Sequence, residues 1–199
     1  MNNINFLIEK TKFGNGDSDR HLMSLYSIAL GSKSKNIIEL GVRNGDTTLP
    51  LALAAKENNG HLYSVDINET SYVIPEELKE NYTFIKSDSI EFLENWNDKI
   101  DIIYIDDWHS YEHVKKQLDI LDKKVSPSSI LLLHDLMYGE SCPFYHCDLT
   151  PCAGSQWSNG GPYRAVAELN HQFWEFSTLP WNNGLTILRK KYSNKYLKK

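Results

Sequence analysis

Residues 36–47 read Asn-Ile-Ile-Glu-Leu-Gly-Val-Arg-Asn-Gly-Asp-Thr, and the fold turns on how they are read. Asn36 to Gly41 is a short apolar run of the kind that suits a strand buried on both faces of a parallel sheet. It leads into Gly41 and Gly45, which let the backbone turn sharply and come close to a ligand. The following helix is expected to open near Asp46 or Thr47, because Pro50 has no N–H and fits only within a first turn. Free N–H groups at such a helix start can hold the carboxylate of an amino-acid-like ligand. Taken alone, the two glycines fit equally well a turn that only packs helix against strand.

Runs of the same type recur at His61–Ile67, Tyr82–Asp88, Asp101–Asp107 and Ser129–Asp135. Amphipathic stretches lie between them. The clearest is Ser110–Val125, where Val114, Leu118, Leu121 and Val125 recur at helical spacing and Pro127 follows the end. Strands alternating with helices imply right-handed βαβ units and an open, doubly wound α/β sheet. Residues 19–30 read as a helix ahead of the first strand, within an N-terminal helical segment spanning 1–35. After the fifth run, residues 137–160 form an irregular stretch too long for an ordinary connection, a candidate lid insertion. Pro162 then opens a helix over Tyr163–Phe173, and Phe173–Pro180 and Gly184–Lys191 read as two strands in an antiparallel pair. No linker or repeat interrupts the pattern, so residues 1–199 read as a single domain.

Composition removes several function classes. A formal charge of −5 argues against a general nucleic-acid binder, which would carry a basic face. No apolar run is long enough for a membrane span or a secretory signal. The three cysteines, Cys142, Cys147 and Cys152, crowd one short segment, which argues against a disulfide framework. A soluble, cytoplasmic protein is expected.

The strand ends carry acids. Asp66 closes the second run, where an acid can accept both ribose hydroxyls. Asp88 closes the third, within reach of an adenine amino group, or serves only as the N-cap of the helix that starts at Ser89. Asp106-Asp107-Trp108 closes the fourth. One such acid is ordinarily a cap. Acids at successive strand ends on the ligand-binding edge point to an adenosyl ligand. A nicotinamide dinucleotide would need G-x-G-x-x-G, and Arg43 stands where its second glycine belongs, obstructing a pyrophosphate. S-adenosylmethionine has no pyrophosphate and needs no such room.

The motifs ELGVRNGDTT, SVDI, KSD, IDDWHSYEHV and LLLHDL resemble, in order and spacing, those of bacterial class I O-methyltransferases. The nearest resemblance is to the macrocin-type sugar O-methyltransferases, and a more distant one is to the catechol O-methyltransferases. It runs from about Ile37 to Leu136, with a weaker echo in GPYRAVAEL. It implies a mostly parallel seven-stranded sheet of order 3-2-1-4-5-7-6, the last strand antiparallel, with helices on both faces. It also implies S-adenosylmethionine as cofactor, with Glu39 and Gly41 at its methionine side, Thr47 at its carboxylate and Asp66 at its ribose. Asp88 and Trp108 would meet the adenine, and Arg43, Gly45 and Asp106 belong to the same binding set. Trp108 can equally be a core aromatic.

Methyl transfer is an in-line displacement at a sulfonium carbon, so the protein has to place the acceptor and, for a hydroxyl, deal with its proton. A divalent metal is one device. Asp106 and Asp135 end neighbouring strands about 5 Å apart, and paired carboxylates suit Mg²⁺ or Mn²⁺. The resemblance implies metal ligands at these positions, but His134 stands where the sugar enzymes carry an acid, and Leu136 where the catechol enzymes carry an amide. With His134 the candidate set becomes Asp106, His134 and Asp135, softer and suited to Mn²⁺, Fe²⁺ or Zn²⁺. The second device is a base. His109 lies three residues after Asp106, and the resemblance implies a catalytic histidine there; the alternative is a histidine that only orients the loop. His109 and Asp106 are thus the candidate catalytic residues.

The segment CPFYHCDLTPC allows a zinc reading from Cys142, His146, Cys147 and Cys152, although its gaps do not match C-x₂-C knuckles. It reads better as a lid in which Phe144, Tyr145 and Trp157 wall a ring-shaped acceptor, or as a purely structural loop. The expected activity is O-methylation of a small-molecule or sugar hydroxyl. The alternatives are N-methylation, whose Asn/Asp-Pro-Pro-Tyr signature is absent after the fourth run, and a catalytically silent cofactor-binding module. A sheet edge at the terminal hairpin permits a homo-oligomer.

Overall fold

Alternation along each apolar run decides which side of the sheet a residue serves. The computed structural model describes residues 3–137 and 160–192. Five parallel strands, β1 (Asn36–Leu40), β2 (His61–Asp66), β3 (Tyr82–Lys86), β4 (Ile102–Ile105) and β5 (Ile130–His134), are joined by β6 (Trp174–Leu179) and β7 (Leu185–Lys190). The sheet order is β3-β2-β1-β4-β5-β7-β6, and β7 runs antiparallel to both β5 and β6. The expected α/β architecture is the observed one.

On one face, Ile38, Leu40, Ile103, Ile105, Leu131 and Leu133 form a core with Leu93 of α4 (Ser89–Asn95), Leu118 of α5 (Tyr111–Lys124) and Val166 of α6 (Gly161–Ala167). On the other, Ile37, Ile102, Tyr104 and Leu132 meet Leu7 of α1 (Asn3–Phe13), Leu25 of α2 (Leu22–Gly31) and Leu51 of α3 (Thr48–Glu57). The alternation is strict, and it leaves Glu39 on the second face, wholly buried.

Local signals set the helix limits. Pro50 falls within the first turn of α3, where no N–H is missed. Asp88 caps α4, accepting from the N–H groups of Ile90 and Glu91, and Ser110 caps α5. Two expectations shift. The N-terminal stretch opens with a 3₁₀ turn, Asp19–His21, before α2 begins at Leu22. The helix expected over Tyr163–Phe173 stops at Ala167. There Asn170 takes the N–H of Gln172 on its side chain and those of Phe173 and Trp174 on its carbonyl. Its local bonds offer the backbone an alternative to another helical turn.

Among the described residues, no helix is long and apolar enough to cross a membrane. Cys142, Cys147 and Cys152, together with His146, Phe144, Tyr145, Trp157 and most of the candidate lid, lie outside the described residues.

Candidate functional site

Parallel register aligns the strand ends. Leu40 pairs with Val65 and Ile105, and Ile105 with Leu133, so Gly41, Asp66, Asp106 and His134 follow at one edge of the sheet. Gly41 has φ +90, and a Cβ there would lie 2.2 Å from the Asp106 carbonyl oxygen. Only glycine lets the β1 turn pass so close to β4. Asp66 holds the rest of the turn: its carboxylate accepts from the N–H of Val42 at 2.9 Å, Arg43 at 3.2 Å and Asn68 at 2.8 Å.

Beneath the turn, Glu39 accepts hydrogen bonds from the hydroxyls of Thr47 (2.6 Å), Thr48 (2.8 Å) and Ser64. Burial disfavours its charge more than these bonds support it, and its pKa rises to about 7. The carboxylate therefore ties β1, β2 and the start of α3 together and does not line either cavity described below.

At the ends of β4 and β5 a second set of acids meets two imidazoles. His109 Nε2 lies 3.2 Å from Asp106 Oδ1 and 3.0 Å from Asp135 Oδ2. His134 Nδ1 lies 3.4 Å from Asp106 Oδ1 and 3.2 Å from Asp135 Oδ1. Tyr104 donates its hydroxyl to Asp106 Oδ2 at 2.9 Å. Burial opposes charge on both imidazoles, but the two carboxylates outweigh it, raising His109 to about 10 and His134 to about 11. Asp106 and Asp135 move the other way: burial would raise them, and the histidines hold both below the usual carboxylate range.

The donor set suits a divalent cation. A carboxylate oxygen of Asp106, one of Asp135 and a ring nitrogen of His134 all lie within 4.8 Å of one another. His134 Nδ1 and Asp135 Oδ1 are buried and make no well-formed hydrogen bond, only the 3.2 Å contact with each other and 3.4 Å from Nδ1 to Asp106, so a cation seated among them would complete partnerships that the protein leaves imperfect.

Two cavities open on this edge. The larger, about 680 Å³, is lined by Asp66, Asp88, Trp108 and His113 among others. The smaller, about 370 Å³, is lined by Asp17, Ser18, Thr47, His109, Asp135 and Asn183 among others. Gly41, Arg43, Asn44, Asp106 and Asp107 line both, so the two cavities adjoin across these residues.

The structure thus gathers Gly41, Arg43, Asp66, Asp88, Asp106 and Trp108 around the larger cavity, and Thr47, His109 and Asp135 around the smaller. Trp108 is 48% exposed, which removes the core-aromatic alternative. Asp88 is the N-cap and also a cavity residue, with Oδ1 given to the cap. His134 lies just beneath, 1% exposed. Gly45, at φ +77, faces the Tyr72 ring and shapes the turn. The Thr47 hydroxyl is given to Glu39, leaving its backbone for a ligand.

Sequence reading missed Asp17, Ser18 and Asn183 in the wall and Asn182 and His21 behind His134, and it named Asp107 at the fourth strand end without giving it a place in the site, although it lines both cavities. Asp107 takes hydrogen bonds from Ser89, His113 and Gln117. A signal existed for the turn that brings Asn182 and Asn183: Asn-Asn-Gly favours left-handed backbone, and all three have positive φ.

Residues 38–136 match the family of methyltransferase domains. A comparison with curated proteins found no match. Among solved structures, the chain is similar to an SAH-bound methyltransferase from Podospora anserina, with TM-score 0.63 at 14% identity, over 96% of this chain and 89% of that one. It is similar to an O-methyltransferase from Bacillus cereus in complex with SAH, with TM-score 0.63 at 12% identity, over 96% and 91%. It is also similar to the O-methyltransferase TomG from Streptomyces achromogenes in complex with SAM, with TM-score 0.62 at 10% identity, over 96% and 91%.

Proposed function

We propose that this chain, which carries a methyltransferase domain over residues 38–136, transfers the methyl group of S-adenosylmethionine to a hydroxyl of a small molecule or sugar. The observation that carries the reading is the pair of adjoining cavities with a shared wall. A cavity of about 680 Å³ suits the adenosyl part, and one of about 370 Å³ suits a single-ring acceptor. The residues shared between them, Gly41 and Asp106 above all, mark where the sulfonium methyl would meet the acceptor oxygen. The solved relatives with SAH or SAM bound support the choice of cofactor.

Asp66 would take the ribose hydroxyls on lone pairs that its three backbone donors leave over. Asp88, with Oδ2 still open, and Trp108 would hold the adenine. Gly41 and the backbone at Thr47 would hold the methionine end. The acidic edge favours a cation, and the sulfonium is one.

Asp106, His134 and Asp135 would hold a divalent metal, which when bound lowers the pKa of a coordinated hydroxyl. His109 would accept the acceptor's proton. It shares both carboxylates at 3.2 and 3.0 Å, and it becomes the basic group of the cavity once those acids have another partner. Methyl transfer needs the acceptor oxygen and the sulfonium carbon held about 3–3.5 Å apart and in line.

Calorimetry with SAM and SAH, and methyl-labelled SAM offered to a panel of polyols, sugars and catechols, tests the proposal. Saturable binding and label in a hydroxyl product are expected. Absence of any affinity for either cofactor form would overturn it.

A further inference from the structure

His134 distinguishes this pocket from an all-carboxylate one. The Asn182 carbonyl accepts hydrogen bonds from two imidazoles, His134 Nε2 at 3.0 Å and His21 Nε2 at 3.1 Å. A carbonyl cannot donate, so Nε2 of His134 carries its proton, and Nδ1 is the ring atom turned towards Asp106 and Asp135. That nitrogen is buried and makes no well-formed hydrogen bond, its nearest acceptors being those two carboxylates at 3.4 and 3.2 Å. Fixed in this way, Nδ1 is the nitrogen that a cation shared with the two carboxylates would meet.

The geometry points to a transition-metal dication, of the Mn²⁺ to Zn²⁺ series rather than Mg²⁺, bound by His134 Nδ1 with Asp106 and Asp135, and to Asn182 as the positioning residue for that nitrogen. The inference rests on the metal-assisted reading of the cleft and names the class of ion. An imidazole donor raises affinity along the first-row series, whereas Mg²⁺ favours an all-oxygen set and keeps most of its water. Hydrogen-bonding the far ring nitrogen to a backbone carbonyl fixes tautomer and orientation, the arrangement characteristic of metal-ligating histidines.

The supporting turn is built for the task. Asn182, Asn183 and Gly184 have φ of +43, +59 and +86, which turns the Asn182 carbonyl inward. The Asn182 side chain anchors the turn to the N-terminal segment, accepting from the N–H of Arg20 at 2.9 Å and donating to the Gly16 carbonyl at 3.2 Å. His21 stacks on Trp181, with ring centroids 6.1 Å apart, and closes the other side.

The test uses the full chain, stripped of metal with a chelator, and titrates Co²⁺ with visible absorbance while Mg²⁺ competes. Co²⁺ should bind at one site and exceed Mg²⁺ in affinity by roughly a hundredfold or more. The ¹H spectrum of the Co²⁺ form should show a paramagnetically shifted, solvent-exchangeable imidazole N–H. That proton is the one held by the Asn182 carbonyl. His134→Asp should lose that signal and cut the Co²⁺ preference by at least about tenfold; His109→Gln should keep it. Equal affinity for Mg²⁺ and Co²⁺, or a Co²⁺ form without the shifted N–H, would overturn the inference. The wild-type spectrum decides even where His134→Asp does not fold. SAH calorimetry on the same metal-free sample separates the two levels, because intact SAH binding with no Co²⁺ preference defeats only the metal assignment.

Discussion

Glu39 and Asp135 are both buried acids near the same edge of one sheet, and their environments treat them in opposite ways. Glu39 is surrounded by hydroxyls, and burial lifts its pKa to about 7. Asp135 and its neighbour Asp106 meet two imidazoles, which hold both below the ordinary range despite burial. Neutral donors let an acid keep its proton and serve as a knot between strands. Imidazoles keep it ionised, where it can serve chemistry. What separates the two acids here is the partner, since burial is common to both, and on the proposed function it also separates a structural acid from a functional one.

The largest effect should come from breaking the second arrangement. Asp135→Asn preserves shape, and Asn tolerates the φ of +69 at this position. It removes one of the charges that both histidines share. Transfer of labelled methyl should fall by roughly 10²–10⁴-fold, the usual scale for a lost group in acid–base or metal-assisted catalysis, while SAH still binds. Near-normal turnover would put Asp135 in the same structural category as Glu39.

Glu39→Gln probes the other side through pH. The folded-state pKa of about 7 exceeds the reference of 4.5. Native protein therefore binds the proton more tightly than unfolded chain, so this group's stabilisation is fully present below pH 4.5 and is lost as pH rises through about 7. The loss amounts to about 3 kcal/mol. Urea unfolding of both proteins from pH 5 to 8 should show the wild type weakening relative to the variant across that window. A flat difference would mean that Glu39 is ionised throughout and that hydroxyls alone suffice to keep it so.

Most of this contrast was visible along the chain only in part. The strand-end acids Asp66, Asp88, Asp106 and Asp135 stood out because β-runs end abruptly at them, and parallel register then brings successive ends together. The same regularity, joined to the resemblance, carried the order of all seven strands. Glu39 could not be assigned its place from local pattern. Its alternation puts it on the α3 face, but only the pairing Glu39–Ser64 shows that a hydroxyl waits opposite. Asp17, Ser18, His21 and Asn182 come from segments far from the motif run, and folding alone brings them to the cleft. Tyr163–Phe173 was extended too far as a helix because periodicity does not register the local bonds of Asn170.

Gly41 is the joint between the two regions, passing from β1 against the Asp106 carbonyl. Gly41→Ala would place a Cβ 2.2 Å from that oxygen, on backbone that cannot give way cheaply. The left-handed φ alone costs about 1–2 kcal/mol, and the clash adds to it. A lower unfolding midpoint in urea is expected together with weaker SAH binding. Unchanged SAH affinity in a destabilised protein would show that the turn and the cleft are mechanically independent.

The smallest effect is expected where water does the solvating. Arg43 Nη1 pairs with Asp17 at 3.1 Å, with side chains 78% and 51% exposed, across residues that line the smaller cavity. Neither burial nor imidazole acts on this acid, and exposed pairs contribute about 0–1 kcal/mol. Arg43→Ala should lower stability by less than about 1 kcal/mol, an effect that fades as added salt screens the charges. The same substitution sharpens one open assignment, because the resemblance counted Arg43 among the cofactor-binding residues. If it serves only the exposed pair, SAH affinity should fall by no more than about fivefold, the equivalent of that 1 kcal/mol. A larger loss, insensitive to salt, would mean that the guanidinium leaves Asp17 for the bound cofactor, and that the third environment is functional after all.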